Sequence, residues 1–136
     1  MRGRDEGRYG RRDDFQYAIV RVVPHVERGE FLNAGVVLFC RRLGFLGARV
    51  GVDERALAAL APGCDVADVR AHLEALERVA AGDRSAGPIA ALEPSERFHW
   101  LTAPSSTVVQ PSAVHTGLTG DPAAELDHLF ERLVER

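Results

Sequence analysis

Apolar and polar positions alternate in a way that changes character along the chain. From Phe15 to Val23 the run is β-branched and aromatic, and Pro24 closes it. Tyr17, Ile19 and Val23 fall on one side of this run and Ala18, Val20 and Val22 on the other. Both sides are largely apolar, which predicts a central strand covered on both faces. A polar connection over residues 25–30 leads to the short apolar run Gly35–Cys40. Arg41, Arg42, Leu43 and Gly44 then read as a hairpin turn, with residues 45–50 as the returning strand. The chain should open as three antiparallel strands.

The middle of the chain changes to a helical period. Asp53 is placed to cap a short helix through Leu60, stopped by Pro62 and Gly63. Asp65 opens the clearest helix, in which Val66, Val69, Leu73, Leu76 and Val79 or Ala80 recur at steps of three and four. Asp68 suits the positive end of its dipole, Glu74 and Arg78 sit four apart on its outer side, and Gly82 supplies the stop. A second clear helix begins with Asp121 as cap and Pro122 at the first position, and buries Leu126, Leu129, Phe130, Leu133 and Val134. Residues 87–120 between them are irregular and polar, with a short helix expected near 95–101 and short strands near 107–110 and 113–116. Residues 1–14 are rich in glycine and charge and are expected to be a disordered leader.

A chain of 136 residues suits one domain, here residues 15–136. No apolar run approaches the roughly 20 residues needed to cross a bilayer, and the N-terminal segment has no apolar core, so neither a membrane span nor an export signal is expected. The default compartment is then the cytoplasm. All 17 basic residues are arginine, which removes lysine chemistry altogether: no Schiff base and no P-loop lysine. A pI near 5.9, with the arginines dispersed, argues against nucleic acid as a partner. Cys40 ends an apolar strand and is read as a buried thiol; Cys40 and Cys64 have no paired spacing. None of the five histidines stands in a zinc-binding spacing and no phosphate-cradling glycine loop occurs, so no metal or cofactor is implied.

Two segments carry more functional groups than a core requires. In the connection at 25–35, Arg28 would fork onto a carboxylate or phosphate with Glu30 and Asn33 orienting it; alternatively it pairs with Glu27 or Glu30 at the surface while Asn33 and Gly35 shape a turn. The second segment holds Arg97, His99, Trp100, Ser105, Ser106 and Thr107 and continues to Gln110 and His115. Trp100 would stack a ring, and Arg97 with the three hydroxyls would hold an anion. In the competing reading Trp100 and Phe98 are core residues and the hydroxyls close turns around Pro104 and Pro111. His99 and His115 are the two candidates for proton transfer, whereas His72 and His128 are expected on solvated helix faces.

Several of these strings are distinctive. The run Tyr17–Pro24, then Glu27-Arg28-Gly29-Glu30-Phe31 with Asn33 and Gly35–Cys40, resembles the domain of unknown function 3037 family of bacterial proteins. Gly87-Pro88-Ile89, Ser95–Leu101 and His115–Leu118 look like its later motifs, and the resemblance covers about residues 15–134. The resemblance implies no established activity. It does imply a setting, since such proteins are often encoded beside HipA-like serine/threonine kinases, while this chain lacks the parts of a kinase.

The expected architecture is a single α+β domain, an antiparallel sheet of three to five strands packed against two main helices. The expected function is that of a noncatalytic partner or regulator of a HipA-like kinase. The alternative is a small enzyme or binding domain for a phosphate-bearing small molecule.

Overall fold

In the computed structural model, residues 11–135 are described. The strands are β1 (Asp13–Val22), β2 (Leu32–Cys40), β3 (Phe45–Val50), β4 (Val109–Pro111) and β5 (His115–Thr119). The helices are α1 (Glu54–Leu60), α2 (Val66–Ala81), α3 (Pro94–Leu101) and α4 (Pro122–Leu133). The fold is α+β, with a five-stranded sheet in the order β3-β2-β1-β4 and every pairing antiparallel. β5 also pairs with β1, along its first half, while β4 pairs with its second half. The expected leader lies outside the described residues as far as residue 10, and β1 begins at Asp13, two residues earlier than the apolar pattern indicates.

Ser112 splices β4 to β5. Its backbone N–H donates to the Ile19 carbonyl at 2.8 Å, and its Oγ accepts from the Ile19 N–H at 2.8 Å. A side chain thus stands in for a missing ladder partner, and Ser112 is buried. Ser112→Ala leaves the Ile19 amide without its acceptor and is expected to cost about 1–3 kcal/mol. A shift of the urea midpoint at constant slope would show it.

Helices cover both sides of the sheet. On one face Ala18, Val37 and Phe39 pack with Val79 and Ala80 of α2 and Phe98 and Leu101 of α3. The same face continues through Val20, Val22 and Ala34 to Leu57 of α1 and Val69 and Leu73 of α2. On the opposite face Phe15, Val36, Leu38 and Cys40 pack with Leu126 and Leu129 of α4. A strand apolar on both sides is the consequence, and the buried Cys40 thiol belongs to it.

The helix ends follow local chemistry. Asp53 accepts from the Arg55 and Ala56 N–H groups, Asp65 from Asp68 and Asp121 from Ala124, each satisfying amides that open a helix. α2 stops at Gly82, whose φ of 76° is left-handed. α3 begins with Pro94 at its first position and a reciprocal capping box between Glu93 and Glu96.

Candidate functional site

The two polar segments approach the same end of the sheet, where β1 leaves it. The Val23 N–H donates to the Val108 carbonyl at 2.7 Å, joining the start of the 25–31 connection to the approach to β4. Within the sheet, Arg21 of β1 lies between Asn33 of β2 and Gln110 of β4 as its cross-strand partners. Asn33 and Gln110, expected as binding residues on separate segments, therefore flank one arginine. Arg21 itself escapes the sequence pattern, which absorbs it into a strand. Its one signal is to be the single charged residue within the largely apolar run Phe15–Val23.

The other candidates are distributed over different surfaces. Arg28 ends a 3-10 turn (Val26–Arg28) that Gly29 closes with a φ of 72°, and its Nε donates to Glu30 at 2.9 Å. With side chains 62% and 38% exposed, this is a solvated ion pair of small energetic value. Arg97 faces inward along α3. Its Nη1 donates to the carbonyls of Val79 at 3.1 Å and Ala80 at 2.9 Å, and its Nε to Leu92 at 3.0 Å. The guanidinium thus satisfies carbonyls at the C-terminal end of α2 and ties α3 to it.

The hydroxyls of 105–107 form a local network. The Thr107 O–H donates to the Val109 carbonyl at 2.7 Å, so the 2.9 Å contact with Ser105 takes its proton from Ser105. The Thr107 N–H donates back to Ser105 Oγ at 3.2 Å, and Gln110 Nε2 donates to the Thr107 carbonyl at 2.8 Å. Ser106 is exposed beside them. His99 is exposed on α3, and His115 is exposed on β5 with its ring 5.2 Å from that of Tyr17. The structure does not bring these two histidines onto one element or into one hydrogen-bonded pair among the described residues. The Asp83 carboxyl is held below its ordinary range, chiefly by the Ser85 hydroxyl and backbone N–H that donate to it, at the start of a short turn after α2.

Trp100 separates from Phe98. Phe98 stacks on Phe39 with ring centroids 5.4 Å apart, inside the core, whereas Trp100 is 51% exposed. The helical spacing explains the split, since neighbours two apart on a helix face different directions. Trp100 stands beside a groove of about 620 Å³ between α2 and the segment that follows α3. Ala71, Ala75 and Leu76 line one side, and Leu101, Pro104 and Val109 the other. His72, expected on a solvated face, also borders it, as do Ser105 and Thr107. Small side chains on α2 create the space: alanine at 71 and 75 leaves room where a larger residue would fill the gap. Among the described residues no cluster of histidine, cysteine or carboxylate could hold a metal ion, and no helix is long and apolar enough to cross a membrane.

The family model described as Protein of unknown function (DUF3037) matches residues 17–134, almost the whole described fold. The chain belongs to this family. No curated protein and no solved structure matches it. The matched region contains β1 from Tyr17 onward, the groove, Arg21 with its two flanking amides, and α4. Membership thus spans the groove and the polar segments alike, without assigning a reaction to either.

Proposed function

We propose that this DUF3037 protein is a noncatalytic binding module that holds a protein partner, a HipA-like serine/threonine kinase, through the groove beside Trp100. The observation that carries the reading is the half-exposed tryptophan at the edge of an apolar groove. Tryptophan offers a large contact area at a small cost in rotamer entropy, and such residues dominate interface energies when water is excluded around them. Most of the groove lining is alanine, leucine, valine and proline, with Ser105 and Thr107 at its border and His72 as the titratable neighbour. That chemistry suits an apolar side chain of a partner better than a charged metabolite. The choice of a kinase rests on the setting that the family resemblance implies.

A pocket for a phosphate-bearing small molecule built on Arg28 and Arg97 has more to overcome. Arg28 would have to leave Glu30, and Arg97 would have to give up its bonds to the carbonyls of Val79, Ala80 and Leu92. A thermal-shift panel of nucleotides and phosphorylated metabolites separates the readings, because a ligand that binds only the folded state raises its melting temperature.

The direct test is a tagged pull-down from the native host against an untagged control, followed by titration calorimetry with the recovered kinase. Trp100→Ala is expected to weaken that complex at least tenfold, in line with the loss of about 2 kcal/mol or more typical of a tryptophan hot spot. The same variant should keep the melting temperature within a few degrees, since half of the residue's surface is already exposed. A chain recovered alone, or a kinase bound equally well by Trp100→Ala, would remove this reading.

A further inference from the structure

We infer that Arg21 is the anchor of an oxyanion-binding subsite, on the sheet face opposite the groove and independent of it. The local backbone is built around this residue. Val20 pairs with Gly35 and Arg21 with Asn33, so β2 carries one extra residue, Ala34, as a bulge. The bulge sends Ala34 into the core with Val20 and Leu57, and returns Asn33 to the face on which α4 lies. Gly35 beside the bulge lies tight against β3, where a Cβ would meet the Arg49 carbonyl oxygen and Val50 Cγ1 at 2.9 Å each. Without the bulge, strict alternation would place Asn33 on the other face from Arg21.

Asn33 is held in one orientation. Its Nδ2 donates to the Leu133 carbonyl at the end of α4 at 3.1 Å, which leaves Oδ1 as a buried acceptor with no partner among the described residues. Arg21 Nε is likewise buried and without a partner. The two atoms belong to cross-strand neighbours but do not bond each other, so a buried donor and a buried acceptor both stay open beside the strand pair. The guanidinium carbon lies 4.3 Å from the centroid of the Phe31 ring, within cation–π distance.

Among the described residues this arrangement lacks a counter-charge. Arg28, Arg42, Arg49 and Arg70 each pair with a carboxylate, on Glu30, Asp13, Asp127 and Glu54. Arg21 pairs with none among the described residues. Arg12, Arg41, Arg55, Arg78, Arg84 and Arg132 have none there either but are exposed. Arg21 is half-buried and, unlike Arg97, donates to no carbonyl among them. Its Nε is turned into the protein, so its outer edge is the pair of Nη groups, two parallel donors in one plane. That edge matches two oxygens of a carboxylate or phosphate, and a guanidinium partly withdrawn from water gains more from such a partner than a solvated one does. The ligand chemistry is therefore a two-oxygen anionic edge, carried by a carboxylate or a phosphoryl group.

The test uses the full chain labelled with 15N, observing the arginine Nε–Hε resonances while inorganic phosphate, and separately acetate, is titrated at constant ionic strength. The Arg21 resonance is expected to move to saturation in at least one arm while that of Arg28 stays in place. Saturation by phosphate alone assigns a phosphoryl ligand, by acetate alone a carboxylate, and by both the shared edge. Asn33→Asp should abolish the response by giving Arg21 an internal carboxylate. Arg21→Lys, read through the side-chain amides of Asn33 and Gln110, should weaken binding at least tenfold because it keeps the charge and loses the fork. A linear drift shared by Arg21 and Arg28, or full binding by Arg21→Lys, would overturn the inference.

Discussion

Arg97→Met is expected to destabilise the protein by roughly 2–4 kcal/mol, although the residue carries a charge and stands on a short helix. Methionine preserves most of the apolar stem and removes every donor. The carbonyls of Val79, Ala80 and Leu92 then lose a charged partner together, and the two on α2 are partly buried. Hydrogen bonds to charged groups are the stronger class, and a carbonyl that water cannot reach retains the cost of desolvation. Arg97→Lys should recover only part of the loss. An ammonium is a single point, whereas Nε and Nη1 reach Leu92 and the end of α2 at the same time. Urea denaturation of the three proteins decides the matter. A loss below about 0.5 kcal/mol for Arg97→Met would mean that solvent replaces the guanidinium at all three carbonyls.

The second large effect concerns the two cores. Leu38 and Leu73 are both fully buried, Leu38 between the sheet and α4 and Leu73 between the sheet and α2. Leu38→Ala and Leu73→Ala are each expected to cost about 2–5 kcal/mol through lost transfer energy and the cavity left behind. The sheet lies between them and they share no cluster, so their costs should add to within roughly 0.5 kcal/mol. Measured in an osmolyte that keeps the double variant folded, a sum that falls short by more than that would show the two faces to be coupled through β1 and β2.

Local chemistry accounts for what can be read from the chain alone. Asp53, Asp65 and Asp121 cap the helices they precede, and Gly82 ends α2, because each signal needs only the next few residues. The hairpin of β2 and β3 and the short helix of residues 94–101 are legible for the same reason. The remainder depends on distant partners. Asn33 bonds Leu133 across 100 positions, and nothing near Asn33 announces it. Arg97 looks like an anion ligand among polar neighbours, yet its nitrogens meet carbonyls 17 and 18 residues back. The bulge at Ala34 is invisible to alternation, so the partnership of Arg21 with Asn33 is hidden along with it. Family membership is also legible, from strings that run along β1 and β2 and through α3.

The splice at Ser112 has a consequence for the order in which the protein can be made. β1 is among the first parts of the described chain to leave the ribosome, and it can pair at once with the hairpin that follows. Its other edge has to wait. The Ile19 amide finds its acceptor 93 residues later, and β4 and β5, on either side of that serine, arrive with it. Over those 93 residues of synthesis the nascent chain therefore carries a bare, apolar strand edge at the centre of its future sheet, the kind of surface that pairs with the wrong neighbour. Closure of that edge, late and all at once, is the step at which a chaperone would matter most.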